Sequence, residues 1–364
     1  MSEDYFTERQ IKNIKKIEEI LISLPPFCRE YFIGIESRTA PLSRLNYAYD
    51  LRMFFRYVER YVFPDIPCRK MTLKDLEKIT ASDIEGYLSY LSCYTREDGS
   101  VETCNEKAKA RKLSAVKSLF KYFFNKDKIS VDNSAKVSSP KLHEKAIVRL
   151  DSDEVDEILK ISENGYGLSK RQQAFHERTK LRDTAILTLF LGTGIRISEL
   201  VGLDNHDVDL ANLSFRVTRK GGNQMVLYFS DEVAAAIADY LEQKEAMIRE
   251  YYEKESKKTV NPPKKYDENA LFLSSNGRRI SVRAVECLVE KYAKIVTPLK
   301  KISPHKLRST FGTNLYDETR DIYVVADVLG HRDVNTTKRH YANISDKIRR
   351  EASTKVKLRK KDDD

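Results

Sequence analysis

Residues 181–200 read LRDTAILTLFLGTGIRISEL. The apolar spacing predicts a helix, interrupted at Gly192-Thr193-Gly194. The glycines are not a nucleotide loop, because G-x-G-x-x-G and G-x-x-x-x-G-K are both absent. Arg196 follows the break and precedes a further apolar segment. Glu199 is three residues on, where a carboxylate can hold the guanidinium by a charge-assisted bond. Taken alone, that pair reads more simply as a helix-surface ion pair of small consequence.

Helical spacing continues toward the N-terminus. In FTERQIKNIKKIEEILISL, Ile11, Ile14, Ile17, Ile20 and Leu21 recur at helical intervals, and Pro25-Pro26 stops the run. LSRLNYAYDLRMFFRYVERYVF and DIEGYLSYLSCY follow, with Ser82 placed to cap the latter. In CNEKAKARKLSAVKSLFKYFFNKDK, Ala110, Leu113, Val116, Phe120 and Phe123 make one apolar stripe. Lys107 and Arg111 fall on the opposite face, with Lys112 to its side. A helical first domain of about four or five helices is expected from this periodicity. The polar, proline-bearing stretch from about residue 131 to 147 lacks it and reads as a linker.

Beyond the linker a mixed, mainly helical domain is expected. NLSFRVTRKGGNQMVLYF alternates in polarity around Gly221-Gly222-Asn223, the pattern of a β-hairpin. The tail KVKLRKKDDD is charged and reads as loose. The fold class is therefore mainly α, with a small β-hairpin or sheet in the second domain. The expected boundaries are an N-terminal helix extension (1–24), a helical domain (25–135), a linker (136–147), a second domain (148–345) and a C-terminal segment (346–364).

At 364 residues the chain is long enough for two cores. No run of about 18 apolar residues appears, so no membrane anchor is expected. The acidic, polar start MSEDYFTERQ argues against a secretion signal. The five cysteines are scattered and odd in number, which argues against a disulfide framework and for a reducing cytoplasm. Neither they nor the six histidines have metal-ligand spacing. A net charge of +10 favours a polyanionic partner.

Further candidates lie in the second domain. In SPHKLRSTFGTNLY, Ser303 can cap a helix and Pro304 suits its first turn. His305 and Arg308 then share one face near the helix start, where backbone N–H groups favour an anion. An ordinary capped helix with a surface arginine fits the same residues. Lys220, at the hairpin tip, is either simply solvated or a mobile ammonium able to lend a proton. In LGHRDVNTTKRHYANIS, Gly330 suits a helix end, His331 falls in a loop and Tyr341 on a short basic helix.

Together these residues run Arg196, Lys220, His305, Arg308, His331, Tyr341. That series resembles the tyrosine recombinase, or phage-integrase, family, through TGIRISEL, TRKGGN, HKLR, LGH and TTKRHY. Ser309 departs from it, since the family more often has a second histidine there. LSKRQQAFHERTKLRDTAIL and VTRKGG resemble the single-recombinase Xer proteins of streptococci and lactococci, which resolve chromosome dimers.

The resemblance implies a core-binding domain of SAM-like kind followed by a catalytic domain. It implies that Tyr341 attacks the scissile phosphate of duplex DNA, forms a 3′-phosphotyrosine and expels a 5′-hydroxyl, with no cofactor, ATP or metal. Arg196 and Arg308 would clamp the non-bridging oxygens, and Lys220 would protonate the leaving oxygen. His305 would assist proton transfer, His331 would bond the phosphate, and Glu199 would position Arg196. Lys107, Arg111 and Lys112 are candidate DNA contacts, a solvated helix face being the competing reading. Further implications are an inverted-repeat DNA site and a homotetramer on two such sites, from a chain monomeric when free. Three competing readings are a mobile-element integrase, a type IB topoisomerase and a DNA-binding regulator without catalysis.

Overall fold

The computed structural model describes residues 5–334 apart from 97, 143–147, 220–222, 256–265 and 331–333. The chain divides into two compact units, Met1–Lys145 and Ala146–Asp364.

The first unit is helical, as its periodicity requires. Its helices are α1 (Tyr5–Leu21), α2 (Phe27–Gly34), α3 (Pro41–Tyr61), α4 (Leu73–Lys78), α5 (Ala81–Tyr90) and α6 (Glu106–Phe124). A two-residue ribbon, β1 (Tyr94–Thr95) with β2 (Val101–Glu102), precedes α6. On α6, Leu113, Val116, Leu119, Phe120 and Phe123 are all 0% exposed. Each such side chain contributes about 1.5–3 kcal/mol by leaving water. They meet Phe54 and Phe55 of α3 and Tyr87 of α5 in one core. Only the last turns of α1 join that core, through Ile17, Ile20 and Leu21, while Ile11 and Ile14 remain exposed. The cap of α5 differs from expectation. Thr80, not Ser82, is the N-cap, because Asp83 at the third helical position accepts from both the Thr80 N–H and its hydroxyl.

The second unit is built on α8 (Lys170–Thr193), against which α7 (Ser152–Asn164), α10 (Asp231–Glu255) and α12 (Pro304–Thr319) pack. Between α8 and α10 come α9 (Ile197–Gly202) and a three-stranded antiparallel sheet. Its strands are β3 (Val208–Asp209), β4 (Ser214–Thr218) and β5 (Gln224–Tyr228), in that order. The β4–β5 hairpin is the expected one, with Ser214 opposite Tyr228 and Thr218 opposite Gln224. The short β3 was not visible in the sequence. Helices α11 (Val282–Val296) and α13 (Ile322–Leu329) complete the unit.

The helix break falls within the expected glycine cluster, at its last residue. Gly192 is inside α8, where a Cβ would fall 2.6 Å from Val233 of α10, so this glycine permits close helix approach. Gly194, at φ 63°, takes the left-handed conformation that ends the helix. A buried carboxylate ties α8 to α11. Asp183 is 1% exposed and accepts from Arg182 at 2.7 Å, Lys291 at 2.8 Å and the Tyr292 hydroxyl at 3.0 Å. Among the described residues no helix is long and apolar enough to cross a membrane, and all five cysteines are free.

Candidate active site

Helix α12 starts at Ser303 with Pro304 in its first turn, although the Ser303 side chain makes no capping bond. One turn in, Arg308 points into the unit and is only 6% exposed. Its two terminal nitrogens donate 2.5 Å bonds to the Gly194 and Leu329 carbonyls. Both acceptors sit where a helix runs out of intrahelical donors, at the negative end of its dipole.

Arg196 is the first residue before α9. Glu199, itself 5% exposed, accepts from the Arg196 backbone N–H at 3.0 Å and from its Nη1 at 2.8 Å. The guanidinium is thereby anchored at both ends of the residue, as the spacing suggested. Its other terminal nitrogen reaches the Gly330 carbonyl at 3.3 Å.

A third guanidinium joins these two. Arg219, directly after β4, donates from Nη2 to the Val328 carbonyl at 3.4 Å. Three consecutive carbonyls at the end of α13 therefore accept from three arginines on three different elements. Sequence reasoning passed over Arg219. The signal was its register: Phe215 and Val217 face inward on β4, and Arg219 continues that alternation.

His305 stands at the same helix start as Arg308 and is exposed. Partial enclosure by protein lowers its pKa below the usual histidine value, and the charges of Arg308 and then Arg196 lower it further. The structure thus brings Arg196, Glu199, His305 and Arg308 together. Lys220, His331 and Tyr341 lie outside the described residues. Their sequence neighbours Arg219 and Gly330 are in contact at the site, where a Cβ on Gly330 would fall 1.0 Å from Arg219 Nη1.

The candidate DNA contacts lie in the first unit, on α6. Lys107 is exposed. Arg111 and Lys112 instead bond the Asp50 carboxylate, Lys112 at 3.2 Å, and Asp50 is 1% exposed. Burial raises the Asp50 pKa, against the pull of Lys112 and Arg111. For a cation, the described residues bring together Asp204, His206 and Asp207, with ligand atoms within 4.8 Å of one another. The carboxylate of Asp204 is already bonded by Arg279, and that of Asp207 accepts the Asp204 N–H at 3.0 Å.

Comparison with known proteins covers both units. The model of the phage integrase family matches residues 148–347, and that of the phage integrase N-terminal SAM-like domain matches residues 29–126. Tyrosine recombinase XerC of Caldanaerobacter subterraneus subsp. tengcongensis is 33% identical over 348 residues, covering 93% of this chain and 88% of the relative. Tyrosine recombinase XerS of Streptococcus agalactiae serotype III is 29% identical over 365 residues, covering 89% of this chain and 93% of the relative. A solved structure of the XerH site-specific recombinase, bound to palindromic difH substrate in a post-cleavage complex, is similar in fold. Its TM-score is 0.61 at 18% identity, covering 86% of this chain and 80% of that one.

Proposed function

The chain belongs to the phage integrase family, and from that premise we propose that it is a site-specific tyrosine recombinase of the Xer kind, acting in chromosome dimer resolution. Its substrate is duplex DNA with an inverted-repeat site. Four copies assemble on two such sites from chains that are monomeric when free. Homology to XerC and XerS over most of the chain supports the Xer role.

The chemistry follows from the residue types. The Tyr341 oxygen attacks the scissile phosphorus in line, and a 3′-phosphotyrosine bond forms as the P–O5′ bond breaks. Lys220 gives its proton to the departing O5′. His305, whose pKa is lowered first by partial burial and then by Arg308, accepts the tyrosine proton. Arg196 and Arg308 stabilise the charge on the non-bridging oxygens, which planar two-pronged donors do better than lysine. His331 bonds the phosphate, and Glu199 holds Arg196 in place. Rejoining is the reverse step, with the 5′-hydroxyl of another strand as nucleophile. Because the phosphotyrosine conserves the bond, the cycle needs no cofactor.

The observation that supports this reading is the convergence of Arg196, Arg308 and His305 beside the end of α13. Positive groups crowded there with one carboxylate suit a phosphate. The test is capture of protein-linked DNA from cells. A single locus near the replication terminus supports dimer resolution, and adducts at the ends of a mobile element support integration instead.

A further inference from the structure

Arg219 is not among the residues named for the family resemblance, yet it reaches the hairpin, the end of α13 and the Glu199 carboxylate. Its backbone N–H donates to the Asn223 carbonyl at 2.8 Å, so it continues the β4–β5 pairing immediately before Lys220. Its side chain, 12% exposed, crosses to the end of α13 and bonds Val328. There it fills the space that any side chain on Gly330 would need, immediately before His331. Its Nε lies 3.9 Å from the Glu199 carboxylate that holds Arg196. Among the described residues that buried Nε has no hydrogen-bond partner, and the Glu199 carboxylate is its ion-pair partner.

We propose that Arg219 is a positioning residue, which fastens the hairpin end to the α13 C-terminus and so delivers Lys220 to the leaving 5′-oxygen. The proposal rests on the reading of Lys220 as proton donor. Three directions meet in one residue: the hairpin through its backbone N–H, and the end of α13 and the carboxylate holding Arg196 through its guanidinium. Lysine could not make this connection, since a single ammonium on a flexible stem lacks the planar fork.

The leaving group separates positioning of the proton donor from other roles. When sulfur replaces the bridging 5′-oxygen, a thiolate departs without needing a proton. Single-turnover cleavage would be measured on a nicked duplex carrying either oxygen or sulfur at that position. Wild type, Lys220→Ala, Arg219→Met and Arg219→Lys would be compared, with DNA affinity and melting temperature as controls. Arg219→Met should slow cleavage of the oxygen substrate by about 10-fold or more, a fraction of what general acid catalysis contributes. Like Lys220→Ala, it should recover toward wild type on sulfur. If Arg219→Met does not fold, Arg219→Lys carries the same comparison. Equal slowing on both substrates, while Lys220→Ala recovers, would overturn the role of Arg219 and leave that of Lys220 standing. No recovery for Lys220→Ala would overturn both.

Discussion

Gly330 and Arg219 compete for one volume: a Cβ on Gly330 would lie 1.0 Å from Arg219 Nη1. Gly330 also sits at φ 60°, where any other residue is strained. Gly330→Ala must therefore both adopt a left-handed backbone, at about 1–2 kcal/mol, and expel the guanidinium, at about 1–3 kcal/mol. Urea unfolding should show a loss of about 2–5 kcal/mol by those two terms together. A loss of only about 1–2 kcal/mol, the backbone contribution alone, would mean that Arg219 has another position open to it.

His305 gives the site a pH dependence of definite sign. Its pKa in the fold lies below the ordinary value, first through partial burial and then through Arg308 and Arg196. As pH falls, the unfolded chain therefore takes up this proton before the folded one does. The stability associated with neutral His305 is present above about pH 6.5, the unperturbed value, and is lost as pH falls through the folded pKa. Cleavage should fall over the same acid range, because the protonated ring cannot accept the tyrosine proton. A pH profile of single-turnover cleavage checks this: the acid limb should weaken or vanish in His305→Gln. An unchanged limb would assign it to another group.

Asp183 should be a structural residue without a direct part in catalysis. It is buried with Arg182, Lys291 and Tyr292 around it. Asp183→Ala removes the acceptor shared by Lys291 and Tyr292 and leaves Arg182 with the Leu273 carbonyl, and breaking such a buried arrangement costs about 3–5 kcal/mol. Denaturant melts should show that loss, with cleavage per folded molecule near wild type.

On α6 the three basic candidates should behave differently. Lys107→Ala removes an exposed charge and should change stability by less than about 0.5 kcal/mol. If Lys107 meets a phosphate, the slope of log affinity against log salt should fall by about 1. Arg111→Ala leaves the buried Asp50 carboxylate with Lys112 and should cost about 1–3 kcal/mol of stability. Salt titrations of DNA binding beside urea melts of both variants separate the roles. Equal stability of the two would contradict the structural role of Arg111.

The helical organisation was legible because amphipathic stripes such as Leu113, Val116, Phe120 and Phe123 are dictated by burial, and burial leaves a period in the sequence. Arg196 with Glu199 was legible for a similar local reason, since three residues separate them on one turn. Exact element ends were less so. Ser82 and Thr80 are both good caps, each with a carboxylate three residues on, Glu85 and Asp83, and the fold uses Thr80 with Asp83. Gly192 and Gly194 look alike in sequence, yet one makes room for Val233 and the other turns the chain left-handed. What could not be read is what long-range folding alone brings together. The α13 carbonyls meet Arg219 across 109 positions and Arg196 across 134. Likewise, Arg111 and Lys112 look like a free basic face until α3 places Asp50 beside them.

The central claim is that Tyr341 is the nucleophile. The most direct measurement is denaturing electrophoresis of the protein after incubation with a nicked recombination-site duplex that traps the cleaved strand. Wild type should give a covalent, protease-sensitive protein–DNA band, and Tyr341→Phe should bind the same DNA without forming one. A covalent band of wild-type yield from Tyr341→Phe would contradict the account and place the nucleophile on another residue.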